Sequence, residues 1–105
     1  MEVLLIYVTC PSREVAESLG KAVVEQRLAA CYNAWQIQSF YWWENATNQE
    51  DEWVILLKTR PELESPIESV LLASHPYEVP CILRWSAKVN QDYGEWIYRE
   101  TKPGN

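Results

Sequence analysis

The stretch SHPYEVPC, residues 74–81, sets the chain's only histidine, His75, six residues before Cys81. Imidazole nitrogen and thiolate sulfur are both common zinc and copper ligands, so the pair first suggests a metal site. The prolines oppose it. Pro76 and Pro80 each bias the preceding residue away from the helical region, so a helix should end near Ser74 and the segment should run extended into a strand. Six extended residues cover about 20 Å, whereas the ligands of one ion lie within about 2.3 Å of it. His75 and Cys81 are not expected to share an ion unless Tyr77 and Glu78 turn tightly. His75 is left as a helix-terminal group, or as a lone ligand whose companions come from elsewhere.

Other side chains carry weaker signals. Cys31 and His75 would supply a nucleophile and a base, but no local signature surrounds either, and the chain is not expected to be an enzyme. Glu50, Asp51 and Glu52 read as a solvated charge cluster beside a turn. Lys58 closes an apolar run, where it would snorkel to solvent or point into an anion-accepting cleft. In FYWWE, a strand sends Phe40 and Trp42 to one face and Tyr41 and Trp43 to the other. Aromatics on both faces point to a neighbouring subunit, or else to a stacking surface for a ligand or carbohydrate.

These residues need elements to position them. EVLLIYVT (residues 2–9) is apolar on both alternating faces, as a central strand covered on both sides would be. Ser12 is a good N-cap for a helix running to about Leu28, with Val15, Leu19, Ala22 and Val23 at helical spacing and Gly20 placed for close helix–sheet contact. Residues 32–44 alternate as an edge strand. ENATNQED (44–51) reads as a polar turn, with Asn45 and Asn48 suited to positive φ, and EWVILLKT (52–59) as a second central strand. SPIE (65–68) has the pattern of a capping box opening a short helix, with Ile67, Val70 and Leu71 inward. CILRWSAK (81–88) reads as a fourth strand, Asn90 or Asp92 opens a last helix carrying Tyr93, Trp96 and Ile97 on one face, and KPGN should fray.

Strand, helix, strand, strand, helix, strand and a short helix make an α+β, ferredoxin-like chain. Two split βαβ halves would form a four-stranded antiparallel sheet with helices on one face. The other face would carry half of each apolar strand, a larger apolar patch than monomers usually expose. Further copies of the chain are expected to cover it, the aromatic edge strand being the natural place for pairing. The competing expectation is that the last helix alone folds over it.

Composition narrows the partners. The 105 residues fit one domain, 1–105, and 48% of them are hydrophobic. A net charge of −6 with no run of Lys or Arg argues against nucleic acid. VLLIYV is too short to span a bilayer and lacks the flanks of a signal peptide, so no membrane association is expected. Three cysteines, Cys10, Cys31 and Cys81, form no Cys-x-x-Cys pair and fit reduced thiols in a cytoplasmic protein.

RLAACYNAWQIQSFYWWE, ILLKTR and HPYEVP together resemble the signatures of the CutA family, the divalent-cation tolerance proteins, over residues 3–99. The resemblance implies a ferredoxin-like homotrimer joined partly by strand pairing, and a link to copper or another divalent cation, for which the departures below make low affinity the expectation. It implies an intersubunit cleft at Cys31, Asn33, Ser39, Tyr41, Trp43, Lys58, Thr59, His75, Tyr77 and Trp96. Where many relatives read Tyr-Arg-Trp-Glu-Gly, this chain has Tyr41-Trp42-Trp43-Glu44-Asn45. The copper-ligand positions of some bacterial members fall here on Val8, Ser74 and His75, with Cys10 displaced by two residues; only His75 is retained. A second expectation is a trimeric interaction module, by analogy with PII-type regulators, whose clefts take a small anionic ligand on Lys58.

Overall fold

The computed structural model describes residues 1–102. Strand β1 (Glu2–Cys10) leads into helix α1 (Arg13–Glu25), where the Ser12 hydroxyl accepts the Val15 amide at 3.2 Å as expected of an N-cap. The helix stops short of Leu28. Arg27 enters the left-handed region (φ 64°), and the amides of Arg27 and Leu28 close back on the carbonyls of Val24 and Val23. A left-handed residue satisfies the last carbonyls and ends the helix without glycine, which drops Leu28 into the core.

Strands β2 (Cys31–Trp43) and β3 (Ala46–Thr59) form one long hairpin, longer than expected. Only Glu44 (φ 50°) and Asn45 (φ 64°) turn, both with positive φ, as a two-residue type I′ loop requires. The expected eight-residue loop therefore belongs largely to β3: Ala46 pairs with Trp43, Asn48 with Tyr41 and Asp51 with Gln38.

The capping box expected at Ser65 does not form. The chain leaves β3 through a 3₁₀ turn (Pro61–Leu63) and continues straight into α2 (Glu64–Ser74), so Ser65 already lies inside the helix and its hydroxyl caps nothing. Pro61 rather than Pro66 starts the helical path. Strand β4 (Ile82–Lys88) and helix α3 (Gln91–Glu100) follow, and residues 103–105, expected to fray, lie outside the described residues.

The sheet is antiparallel in the order β2-β3-β1-β4, with the two doubly apolar strands in the middle as their patterning required. Alternation divides them cleanly. Leu4, Ile6, Val8 and Cys10 of β1 and Ile55 and Leu57 of β3 are buried with Ala16, Leu19, Val23, Ile67 and Leu71 of α1 and α2. This is the core. Val3, Leu5, Tyr7 and Thr9, together with Val54, Leu56 and Lys58, face the opposite side.

Gly20 confirms the close approach suggested by its position: a Cβ there would sit 2.7 Å from Cδ2 of Tyr32. Gly20→Ala is expected to lower stability by about 1–3 kcal/mol through this overpacking, despite alanine's better helix propensity. Urea unfolding followed by circular dichroism measures it.

Candidate functional site

Among the described residues, the face of the sheet away from α1 and α2 carries a helix at one corner. Helix α3 lies there, held by Arg60, whose Nε donates to Thr101 Oγ1 at 2.9 Å and whose Nη2 donates to the carbonyls of Tyr98 and Thr101. The last two residues of β3 and the one after it thus divide their work. Arg60 docks α3, Thr59 turns into the core, and Lys58 points under α3 to Tyr93.

Lys58 Nζ lies 3.3 Å from Tyr93 Oη and 5.4 Å from the ring centroid. Cys31 Sγ approaches the same hydroxyl at 3.6 Å, and Trp96 stacks on Tyr93 at 5.5 Å. No carboxylate pairs with Lys58 among the described residues. Burial raises the Tyr93 hydroxyl's pKa above its ordinary range, with the bond to Cys31 adding and Lys58 opposing.

Beyond that corner the face stays open. Trp35 is 40% exposed, Leu83 54% and Trp85 45%, all on side chains of the same side as Tyr7. Tyr7 meets Trp35 edge-on at 6.3 Å. Further along β3 the hairpin projects past β1, which pairs only as far as Trp53. Phe40 and Trp42 on one side of this arm are 71% and 74% exposed; Tyr41 and Trp43 on the other line a groove that Phe40 also borders.

The groove has a volume of about 740 Å³ and lies between the hairpin arm and the connector after α2. Its acidic lining corrects one expectation. Glu50 and Asp51 are exposed, but Glu52 is buried, 6% accessible, and its Oε2 accepts the Tyr77 hydroxyl at 2.5 Å. Period two puts Glu50 and Glu52 on the face of Val54 and Lys58, so they enter the groove while Asp51 turns outward. Burial and then the bond to Glu52 push the Tyr77 phenol's pKa well up; burial and then the Glu52 charge raise those of Cys81 and Cys10, the latter to about 11.

His75 ties this region together. Its Nε2 donates to the Thr9 carbonyl at 2.8 Å, and its Nδ1 accepts the Tyr77 amide at 3.1 Å. The hydrogen-bond network thereby assigns the Nε2–H tautomer. The imidazole fastens the end of α2 to β1, and neither nitrogen is free for a metal in this arrangement. The connector is less extended than its prolines suggested, bending at Glu78 and Val79 before Cys81 enters the groove. Among the described residues, no three His, Cys, Asp or Glu side chains are grouped to hold a metal.

The ten residues singled out from the sequence fall into two groups. Cys31, Lys58 and Trp96 gather around Tyr93, while Ser39, Tyr41, Trp43 and Tyr77 line the groove. Asn33 lies on β2 between them, opposite Leu56. His75 stands behind the groove, bonded to Thr9 in its wall. Six strand positions, about 20 Å, separate Lys58 from Glu52. Thr59 joins neither group: it is fully buried on the helix side, its hydroxyl donating to Leu28 O at 2.5 Å. Sequence reading missed Tyr93 and the groove carboxylates Glu52 and Glu78. Alternation along β3 marked Glu52; nothing local marked Glu78.

Cys10 gives a pH dependence. Below its ordinary pKa of 9.0 the thiol is neutral in both folded and unfolded chains; between 9.0 and about 11 the unfolded chain releases a proton that the folded one retains. Stability is therefore expected to fall from about pH 8 to about pH 10, and to fall less in Cys10→Val. Thermal unfolding at the two pH values reads the difference.

The comparisons bear on the family and the fold. The family description "CutA1 divalent ion tolerance protein" matches residues 4–100. The divalent-cation tolerance protein CutA of Pyrococcus horikoshii is 38% identical, covering 94% of this chain and 98% of its own. That of Thermotoga maritima is also 38% identical, covering 90% and 94%. A solved structure from Archaeoglobus fulgidus, titled a periplasmic divalent cation tolerance protein CutA, superposes with a TM-score of 0.92 at 34% identity, covering 95% and 99%. By sequence and by fold alike, the chain belongs to the CutA1 divalent ion tolerance family.

Proposed function

We propose that the protein works as a homotrimer that takes part in tolerance to divalent cations, copper among them, and meets those ions weakly. The observation that carries the assembly is the open sheet face, with Trp35 of β2 and Leu83 and Trp85 of β4 exposed beside Tyr7 of β1. Aromatic surface of this kind dominates the centres of protein interfaces. Trimerisation would bring the Lys58 corner of one copy beside the groove of the next, which is how residues about 20 Å apart along one strand would share a cleft. A cytoplasmic location fits its three free thiols. No reaction is assigned.

Weak metal binding follows from His75. An incoming ion must take Nδ1 from the Tyr77 amide, or Nε2–H from the Thr9 carbonyl, before the imidazole can donate to it. Either exchange sacrifices a hydrogen bond worth about 1 kcal/mol, and no ready set of companion ligands surrounds the ring among the described residues. Calorimetric titration of Cu(II) into wild type and His75→Ala tests the assignment. A weak isotherm diminished in the variant is expected; identical isotherms would remove His75 from the role.

A second reading rests on Lys58, a half-buried cation with a tyrosine hydroxyl beside it and no carboxylate partner among the described residues. In that reading the protein is a trimeric signalling or interaction module, and the corner accepts a small anion.

A further inference from the structure

Lys58 is half-buried and has no carboxylate partner among the described residues, yet its ammonium is not left bare. Tyr93 supplies what an anion would. Its hydroxyl accepts from Lys58 Nζ at 3.3 Å and keeps its own proton to donate to Cys31 Sγ, 3.6 Å away. Its ring centroid lies 5.4 Å from the same nitrogen, near enough for the π system to attract the cation. One side chain thus satisfies the lysine and fills the space beside it. The oxygen it offers is neutral, however. An anionic oxygen adds a Coulomb attraction that a hydroxyl lacks, so an anion that reached Nζ would displace Tyr93.

The way α3 is held lets Tyr93 yield. The last turn is bolted down by Arg60, which bonds Thr101 and lies over the Tyr98 ring at 4.8 Å. The first turn is held less firmly. Asn90 makes no side-chain cap, Gln91 and Asp92 are exposed, and Gly94, whose amide bonds the Asn90 carbonyl at 3.0 Å, is the first buried residue of the helix. Just before it, the Val89 amide is tied to the Met1 carbonyl at 2.9 Å, so the piece free to move is Asn90–Tyr93. A segment with few buried contacts opens at a lower free-energy cost than the whole fold.

We propose that Tyr93 is an autoinhibitory gate: it occupies Lys58 in the resting chain, and a small oxyanion takes its place as the first turn of α3 lifts. The inference rests on the second reading above, in which this corner accepts an anion, and adds the group that regulates it.

Inorganic phosphate is the probe, titrated by calorimetry into the full chain, Tyr93→Phe and Lys58→Ala. The phenylalanine keeps the ring and removes the competing hydroxyl, so that variant should bind phosphate about fivefold more tightly than wild type. Lys58→Ala should lose the binding. In wild type, bound phosphate should speed hydrogen exchange at the Gly94 amide and leave the last turn of α3 protected. Acetylation by N-hydroxysuccinimide acetate, read by mass spectrometry against the exposed Lys21, tests the gate without an anion. Lys58 should react about threefold faster in Tyr93→Phe than in wild type. Faster acetylation without phosphate binding in either protein would reject the anion reading while supporting Tyr93 as the occupant of Lys58. Equal phosphate affinity with equal acetylation, or exchange at Gly94 unchanged by bound phosphate, overturns the gate and leaves the anion reading standing. Neither phosphate binding nor a change in acetylation overturns both.

Discussion

A four-stranded sheet with helices on one side has to do something with its other side, and here that constraint governs everything else. Strands β1 and β3 carry apolar residues at nearly every position, so whichever alternate set packs against α1 and α2, the other remains. The core takes Leu4, Ile6, Val8, Ile55 and Leu57. Val3, Leu5, Tyr7, Val54 and Leu56 fall on the opposite side, where Val3 and Val54 are buried by their neighbours and Leu5, Tyr7 and Leu56 are only half-buried. The exposed tryptophans of β2 and β4 extend that apolar surface to both edges.

The placement of Lys58 and Glu52 follows from the same alternation. Lys58 and Glu52 have the same parity on β3, so both lie on the open side, at opposite ends of it. One end is basic and capped by Tyr93; the other is acidic and walled by aromatic rings. A face with unlike ends is complementary to itself head to tail rather than about a two-fold axis, and head-to-tail contacts that close make rings. The connector HPYEVP has a structural part in this. His75 bridges a β1 carbonyl and the Tyr77 amide, and that placement brings the Tyr77 hydroxyl to Glu52. The histidine's first task is therefore to build one wall of the groove.

Much of the fold was legible because it rests on local periodicity. The doubly apolar runs marked the central strands, Ser12 marked the first helix start, and the element order specified the topology. Three signals misled where a nearby alternative was better. Asn45 with Glu44 makes a two-residue turn, so the polar residues after it pair instead of looping. Pro61 starts the helical path before Ser65 can cap it. Arg27 ends α1 by turning left-handed, a feature no residue type announced. The site was harder to read. Glu52 looked like one of three solvated acids until the register showed which of them turn inward, and Tyr93 reaches Lys58 across 35 positions of sequence. Such contacts depend on how α3 docks, and docking is set by Arg60 bonds that spacing does not reveal.

The central claim is that copies of the chain cover the open face, and the particle mass tests it most directly. Light scattering on the gel-filtered protein, repeated over a range of concentrations, should give about 37 kDa, three times the chain mass of 12.3 kDa. A mass of 12.3 kDa at all concentrations would contradict the account, since the apolar face would then stand open in solution.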